Sequence, residues 1–412
     1  MSVYWQAGIR WTPPRPDALP ATFDVAVLGA GLTGLAAALA MGNQGLSVLV
    51  VDRGRVGDGA SGRNGGQVLT GLNPSYRELR RTGGASARSW WAEGAAAVAD
   101  VAALVDRHHI ACDWHPGGHL AVAASPRRWR RLLADAALLQ ADGFPLDVLD
   151  AGAVADRLGW PGYVGALFDP ASATVNPYRL TVGVAQAALD AGAVIVEETA
   201  SRIEAARSGT FLVRAGDAAV TVGRVLVATN AFLPRSVPGF AGHVRRVDSP
   251  MLATAPLPGA FVPRLLAGRP AVFEESRRTA HFQLTPDGRL VFGSRLPAGT
   301  PSSPATLGAV LRRLLPGLEG IPVDHFWHGP LAITATGLPI LGETPRGVRW
   351  VGGYSGHGVA LAVRLGTAAG RWMSNDRRPA WPEPFPVGQP TPPATEGRRC
   401  RPPAPQTGET TL

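Results

Sequence analysis

The chain has 412 residues, enough for two packed domains, and its 45% hydrophobic and 17% charged content is that of a compact enzyme and excludes a disordered chain or a filament. Its net charge of +9 rests wholly on Arg, because the sequence holds no Lys, which excludes Schiff-base chemistry, a Walker-type phosphate loop and a lysine general base. The Arg residues are scattered, and the short clusters at Arg127, Arg128, Arg130, Arg131, with the single Trp129 between them, and at Arg312, Arg313 make no extended run of interleaved basic residues and aromatics, so a solvated surface is expected and no nucleic-acid partner.

Residues 1–22 are rich in Pro and aromatics and read as an arm lying on the body. FDVAVL at Phe23 to Leu28 is apolar and β-branched, the pattern of a strand buried on both faces of a parallel sheet. A glycine-rich turn follows, then a helix from Leu32 to Gln44 stopped by Gly45, then a second buried strand from Leu46 to Val51. Helices are expected at 88–110 and 126–142 around a strand His119 to Ala123. A helix from Leu180 to Asp190, a strand from Ala193 to Glu197 and a pairing of Phe211–Arg214 with Ala219–Val222 come next. Val225 to Ala228 is another buried strand, with Thr229 and Asn230 at its polar tip. From about 240 to 330 strands alternate with turns, as in HFQLTPDGRLVFG, whose Pro286, Asp287 and Gly288 mark a hairpin. A strand from Val348 to Val351, the glycine-rich GGYSGHG and a helix from Val359 to about Met373 precede a Pro-rich tail read as disordered. No internal repeat is evident.

Cys112 and Cys400 are too few for a disulfide framework, no apolar leader opens the chain, and no apolar run nears the ~20 residues that span a bilayer. A soluble cytoplasmic protein is the expectation; the oligomeric state stays open. His108, His109, Cys112, His115 and His119 superficially offer metal ligands, but Pro116-Gly117-Gly118 breaks any helical register and no second Cys pair exists, so no metal is expected.

Gly29-Ala30-Gly31-Leu32-Thr33-Gly34 fits GxGxxG between a buried strand and a helix. Gly29 permits the tight turn, Gly31 lets the backbone approach a pyrophosphate, and Gly34 lets helix and strand pack closely. Asp52 ends the second strand 23 residues after Gly29, where an acid accepts hydrogen bonds from a ribose. The second glycine-dense loop, Gly59 to Gln67, offers donors to line a cofactor, with Arg63 available to an anion.

These segments, together with RVLVATNAF, TATGLPILGE and GGYSGHGVALAVRLG in that order, resemble the D-amino-acid oxidase superfamily of FAD-dependent oxidoreductases over about residues 20–375. Within it, SGRNGGQ and the early Tyr4-Trp5 pair are most similar to the gamma-glutamylputrescine oxidoreductase group. The resemblance implies an α/β fold: a Rossmann-type FAD-binding domain with a parallel sheet (23–85, 150–235 and 331–375) and a mainly antiparallel substrate domain (86–149 and 236–330), with the tail at 376–412. It implies FAD contacts at Gly29, Gly31, Leu32, Thr33, Gly34, Asp52 and Arg53, at Ser61, Gly62, Arg63, Asn64, Gly65, Gly66 and Gln67, and at Ala200 or Ser201, Thr229 and Asn230. It further places Gly353, Gly356, His357, Gly358 and Val359 against the flavin, where a helix N-terminus stabilises negative charge on reduction. His357 is the candidate for tuning the flavin, and Arg63, His281 and Gln283 are the candidates for substrate contact.

The sequence departs from that pattern in two ways. Sarcosine-oxidase relatives carry a Lys just after Gly-His-Gly to hold a carboxylate, whereas Ala360 follows Val359 here. Neither cysteine lies in a matching motif, so noncovalent FAD is expected. The implied reaction is hydride transfer from an uncharged small-molecule amine to flavin N5, leaving an imine that water hydrolyses. Oxygen or an electron carrier takes the electrons, and a non-catalytic flavin-binding protein is the reading from another class.

Overall fold

A computed structural model describes residues 2–379, except 15–16, 207–208, 233–242, 260–261, 263–264, 275–278, 298 and 316. The expected Pro-rich tail, beyond 379, and Cys400 therefore lie outside the described residues.

The first sheet has eight strands. Thr22–Leu28 lies at its centre, flanked in parallel by Val48–Val51 on one side and Ala218–Val227 on the other. Val194–Val196 extends the first side and Val348–Gly352 the second, both parallel, and Ile340–Glu343 closes the edge in antiparallel sense. Ser201–Ala205 and Phe211–Ala215 attach to Ala218–Val227 as an antiparallel ribbon. The run Val48–Val51 is buried at every position, as the uninterrupted apolar pattern requires of a strand covered on both faces.

Helices Leu32–Gly42, Ser86–Arg107, Pro177–Asp190 and Gly358–Asn375 share one core over a face of this sheet. Small residues bring them close: a Cβ on Gly366 would stand 2.3 Å from the Thr33 carbonyl oxygen, and one on Gly370 2.6 Å from that of Ala37.

The second sheet also has eight strands, in the order Val323–Thr334, Val244–Thr254, Leu290–Ser294, Ala280–Leu284, Ala271–Glu274, His119–Ala123, Gly165–Asp169 and Asp147–Asp150. All neighbours are antiparallel except His119–Ala123 beside Ala271–Glu274. Helices Ala151–Leu158 and Pro304–Leu314 cover its apolar face.

Two segments sit differently from the division read in the sequence. Helix Ser86–Arg107, expected in the substrate domain, packs through Ala97, Val98 and Val101 into the core of the first sheet, and its Glu93 and Asp100 both hold Arg364 at 2.6 Å. Residues 147–169, assigned from 150 onward to the first unit, supply the last two strands at one end of the second sheet. Each is amphipathic in a way that either core accommodates, so local pattern does not choose between them. The N-terminal arm forms one 3-10 turn, Tyr4–Gln6, and buries Trp5 to 2% exposure.

Candidate active site

The Gly29–Gly34 turn joins the central strand to helix Leu32–Gly42, and each glycine answers a separate steric demand. Gly29 has φ +111, and a Cβ there would meet the Ala228 carbonyl oxygen at 2.8 Å. At Gly34 a Cβ would lie 2.0 Å from the Gly29 oxygen, so helix and strand close only without it. The helix N-terminus opens with few partners: Leu32 donates to Ser61 Oγ at 2.9 Å, while the amides of Gly31 and Thr33 have no acceptor among the described residues. Because the Ser61 hydroxyl accepts there, its own proton stays available to an anion.

Asp52 ends the second strand facing this turn. Its carboxylate accepts from the Ala30 amide at 2.7 Å and the Gly54 amide at 2.8 Å. Burial raises its pKa, and the two amides offset this only in part.

A cavity of about 650 Å³ runs along these groups. Gly29, Gly31, Leu32, Thr33, Asp52, Arg53, Ser61, Asn64, Ala200, Ser201, Thr229, Asn230, Gly356, Gly358 and Val359 line it, all anticipated from the sequence. The hydroxyl of Thr229 is buried there without a hydrogen-bond partner, an orphan that a polar ligand would satisfy. The sequence reading missed Tyr354, whose hydroxyl bonds Thr33 Oγ1 at 2.7 Å across the cavity, and Phe232, whose ring centroid lies 5.2 Å from the Arg53 guanidinium and 4.6 Å from that of Arg246. Only the juxtaposition of distant segments identifies these.

Several anticipated residues stand off the wall. Gly34 serves helix packing. Gly62 packs on Gly57 and Tyr178, where a Cβ would come within 2.5 Å of the Gly57 oxygen. Arg63 spends Nε on the Asp58 carbonyl at 2.6 Å. Gln67 donates to the Val272 and Phe282 carbonyls at 3.2 and 3.1 Å, stitching the loop to the second sheet. Gln283 donates to the Gly65 carbonyl at 2.6 Å, and His281 packs within 3.0 Å of where a Gly65 Cβ would be; both therefore brace the 65–66 loop instead of lining the cavity. Gly353, at φ +79, donates its amide to Asn230 Oδ1 at 2.9 Å, joining two of the anticipated segments.

His357 follows the same logic. Its neighbours Gly356 and Gly358 line the cavity, but its own Nε2 lies 3.1 Å from the Thr70 carbonyl. A carbonyl only accepts, so Nε2 carries the proton and Nδ1 is left with the lone pair. Burial lowers the His357 pKa and keeps the ring neutral. Thr70 and Ser172 each donate a hydroxyl to Asp169 Oδ2 at 2.6 Å, and Asp169 is the cross-strand partner of His119, whose pKa burial pushes down to about 4. Among the described residues no group of three or more His, Cys, Asp or Glu is arranged to hold a metal. His115 is bonded to the Gly268 carbonyl. Nor is any described helix long and apolar enough to cross a membrane.

Comparison with known proteins agrees with this geometry. The family model described as "FAD dependent oxidoreductase" matches residues 24–373. A probable oxidoreductase OrdL of Haemophilus influenzae is 31% identical over 83% of this chain and 81% of its own. The gamma-glutamylputrescine oxidoreductase of Escherichia coli is 30% identical over 84% of this chain and 82% of its own. Among solved structures, an L-amino acid deaminase from Proteus vulgaris superposes with a TM-score of 0.76 at 19% identity, covering 92% of this chain and 97% of that one, which is a likeness of fold.

Proposed function

Since the chain belongs to the FAD dependent oxidoreductase family, we propose that it oxidises a small amine, FAD being bound noncovalently along the 650 Å³ cavity. The observation that carries this reading is the composition of the cavity wall: one continuous surface joins the GxGxxG amides, the strand-end acid and the Gly-His-Gly turn. The pyrophosphate would take the free amides of Gly31 and Thr33 and the Ser61 hydroxyl at the positive end of helix Leu32–Gly42. Asp52, with both oxygens oriented by backbone amides, would accept from the ribose. The N-terminus of helix Gly358–Asn375, whose Gly358 and Val359 line the cavity, would face the flavin end and stabilise negative charge there. Cys112 is buried and absent from the cavity wall, which supports noncovalent attachment.

When bound, FAD supplies a hydride acceptor. Hydride loss requires an uncharged amine; His357, held neutral with its proton on the Thr70 side and standing behind the wall between Gly356 and Gly358, is assigned to tuning the flavin end of the cavity and not to proton transfer. Ala360 stands where the resemblance would supply a carboxylate-binding lysine, which favours amines whose reacting carbon carries no carboxylate, such as glutamylated polyamines, over free amino acids. The gamma-glutamylputrescine oxidoreductase relative points the same way. The complete lack of Lys favours a second reading of the oxidative half-reaction, in which an electron carrier replaces oxygen.

The test is anaerobic bleaching of the flavin band against glutamylated polyamines, N-methyl amino acids and D-amino acids, followed by an assay for peroxide on readmitting air. Bleaching by the first group is expected; if no compound bleaches the flavin, the amine reading is wrong. Flavin that stays with the protein after acid precipitation would contradict noncovalent binding.

A further inference from the structure

The loop that follows the fingerprint is held by four donors from four parts of the chain. The carbonyl of Arg63 accepts from Trp327 Nε1 at 2.8 Å, that of Asn64 from Trp5 Nε1 at 2.8 Å, that of Gly65 from Gln283 Nε2 at 2.6 Å, and that of Gly66 from the Val175 amide at 2.8 Å. In a trans peptide the carbonyl and the next amide point in opposite directions. Pulling the Arg63 and Asn64 oxygens to one side therefore turns the amides of Asn64 and Gly65 to the other.

Those two amides have no acceptor among the described residues, whereas the Gly66 amide is satisfied by Asn64 Oδ1 at 2.8 Å. The two sides of the loop are physically distinct. Trp5 and Trp327 lie behind it in a buried cluster with Val3, Tyr178, Met251 and Val291, and Asn64 forms part of the cavity wall in front. Among the described residues no acceptor in front competes for the Asn64 and Gly65 amides.

We propose that Trp5, Trp327 and Gln283 are positioning residues: they fix the peptide planes of 63–65 so that two unpaired amides are presented to the flavin. This rests on the placement of FAD in the cavity given above. Trp5 comes from the N-terminal arm and the other two from strands of the second sheet, so the device ties flavin binding to the docking of both onto the first unit. Its physical logic is preorganisation: a nine-membered glycine-rich loop, Gly59–Gln67, would otherwise sample many peptide orientations, and fixed donors act on charge at the cofactor without reorganising.

Trp5→Phe keeps an aromatic ring at the position but removes the indole N–H together with the pyrrole ring, a packing loss that the apoprotein stability reads separately; Trp327→Phe and Gln283→Leu remove the other two donors. For each variant the FAD dissociation constant, the visible spectrum of the bound flavin and its midpoint potential are measured beside the thermal stability of the apoprotein. Weakening of FAD binding by about tenfold is expected for either indole variant, with a shifted flavin spectrum and a lowered potential. Should Trp5→Phe fail to fold, Trp327→Phe and Gln283→Leu carry the test through a different element. Variants that lose only apoprotein stability, with affinity, spectrum and potential at wild-type values, overturn the proposal. A wild-type protein that cannot be reconstituted with FAD overturns the FAD placement instead, so the two failures are told apart.

Discussion

Replacing Gly34 by Ala should separate helix propensity from steric demand, because the two act with opposite sign at one atom. In an open helical site this substitution gains about 1 kcal/mol. Here the added methyl would stand 2.0 Å from the Gly29 carbonyl oxygen and 3.1 Å from Val27 Cγ1. A carbon reaches a carbonyl oxygen no closer than about 3.3 Å, so the helix N-terminus must retreat by about 1 Å from the strand. Overpacking of this kind costs about 1–3 kcal/mol, and because the obstacle is backbone, which cannot rotate aside, the cost falls at the upper end; less the gain of about 1 kcal/mol in helix propensity, the net expectation is a loss of about 2 kcal/mol. On the cofactor placement proposed above, the same retreat would draw the Gly31 and Thr33 amides off the pyrophosphate and weaken FAD binding by about tenfold or more. Gly152→Ala is the internal control: its Cβ would meet nothing nearer than Asp150 Oδ1 at 3.5 Å, in the first turn of helix Ala151–Leu158, so it should be neutral or stabilising by about 0.5 kcal/mol. Urea denaturation of both variants, with FAD titration followed by flavin fluorescence, reads these quantities. Equal stability and equal FAD affinity in Gly34→Ala and wild type would refute the steric account of the fingerprint.

Arg349 is 8% exposed and donates to the Trp372 carbonyl at 2.7 Å, to Asp376 at 2.6 Å and to Glu343 at 3.2 Å; because both carboxylates left behind face solvent, Arg349→Met should cost about 1–2 kcal/mol in urea melts, and an unchanged midpoint would show that these bonds add little to the end of helix Gly358–Asn375. Burial pushes His281 down from 6.5 to about 4, so the native state binds fewer protons than the unfolded one across that window. Stability is therefore full above pH 6.5 and falls as the pH drops toward 4, by about 3 kcal/mol from this group; His281→Leu should flatten that part of the pH–stability curve, and an unchanged difference between wild type and variant from pH 7 to 4 contradicts it. Cys112 is buried with its thiol pushed up to about 11, so iodoacetamide at pH 8 should leave it unmodified in the native protein and label it after unfolding, as peptide mass mapping will show.

The sequence by itself determined the elements whose cause is local. The buried strands around Val25 and Val50, the GxGxxG turn, the acid at Asp52 and the Gly-His-Gly helix start were all legible, because apolar period, glycine sterics and a strand-end carboxylate leave their marks within a few consecutive residues. Strand His119–Ala123 fell where its alternation placed it. Helix Ser86–Arg107 was legible as a helix, but its membership was not: an alanine-rich face suits either core, and only Arg364 and the packing of Val98 and Val101 choose.

The same limit governs the site. His281 and Gln283 were expected to contact substrate, yet tertiary structure commits them to bracing Gly65 and Gly66. Trp5, Trp327 and Tyr354 act through single hydrogen bonds to groups 59, 264 and 321 positions away, and no pattern in a linear chain encodes such a distance. Backbone approach and apolar period are properties of neighbours in sequence. Which way a loop's carbonyls are drawn is a property of neighbours in space, and it was settled when the arm and the second sheet came down on the first.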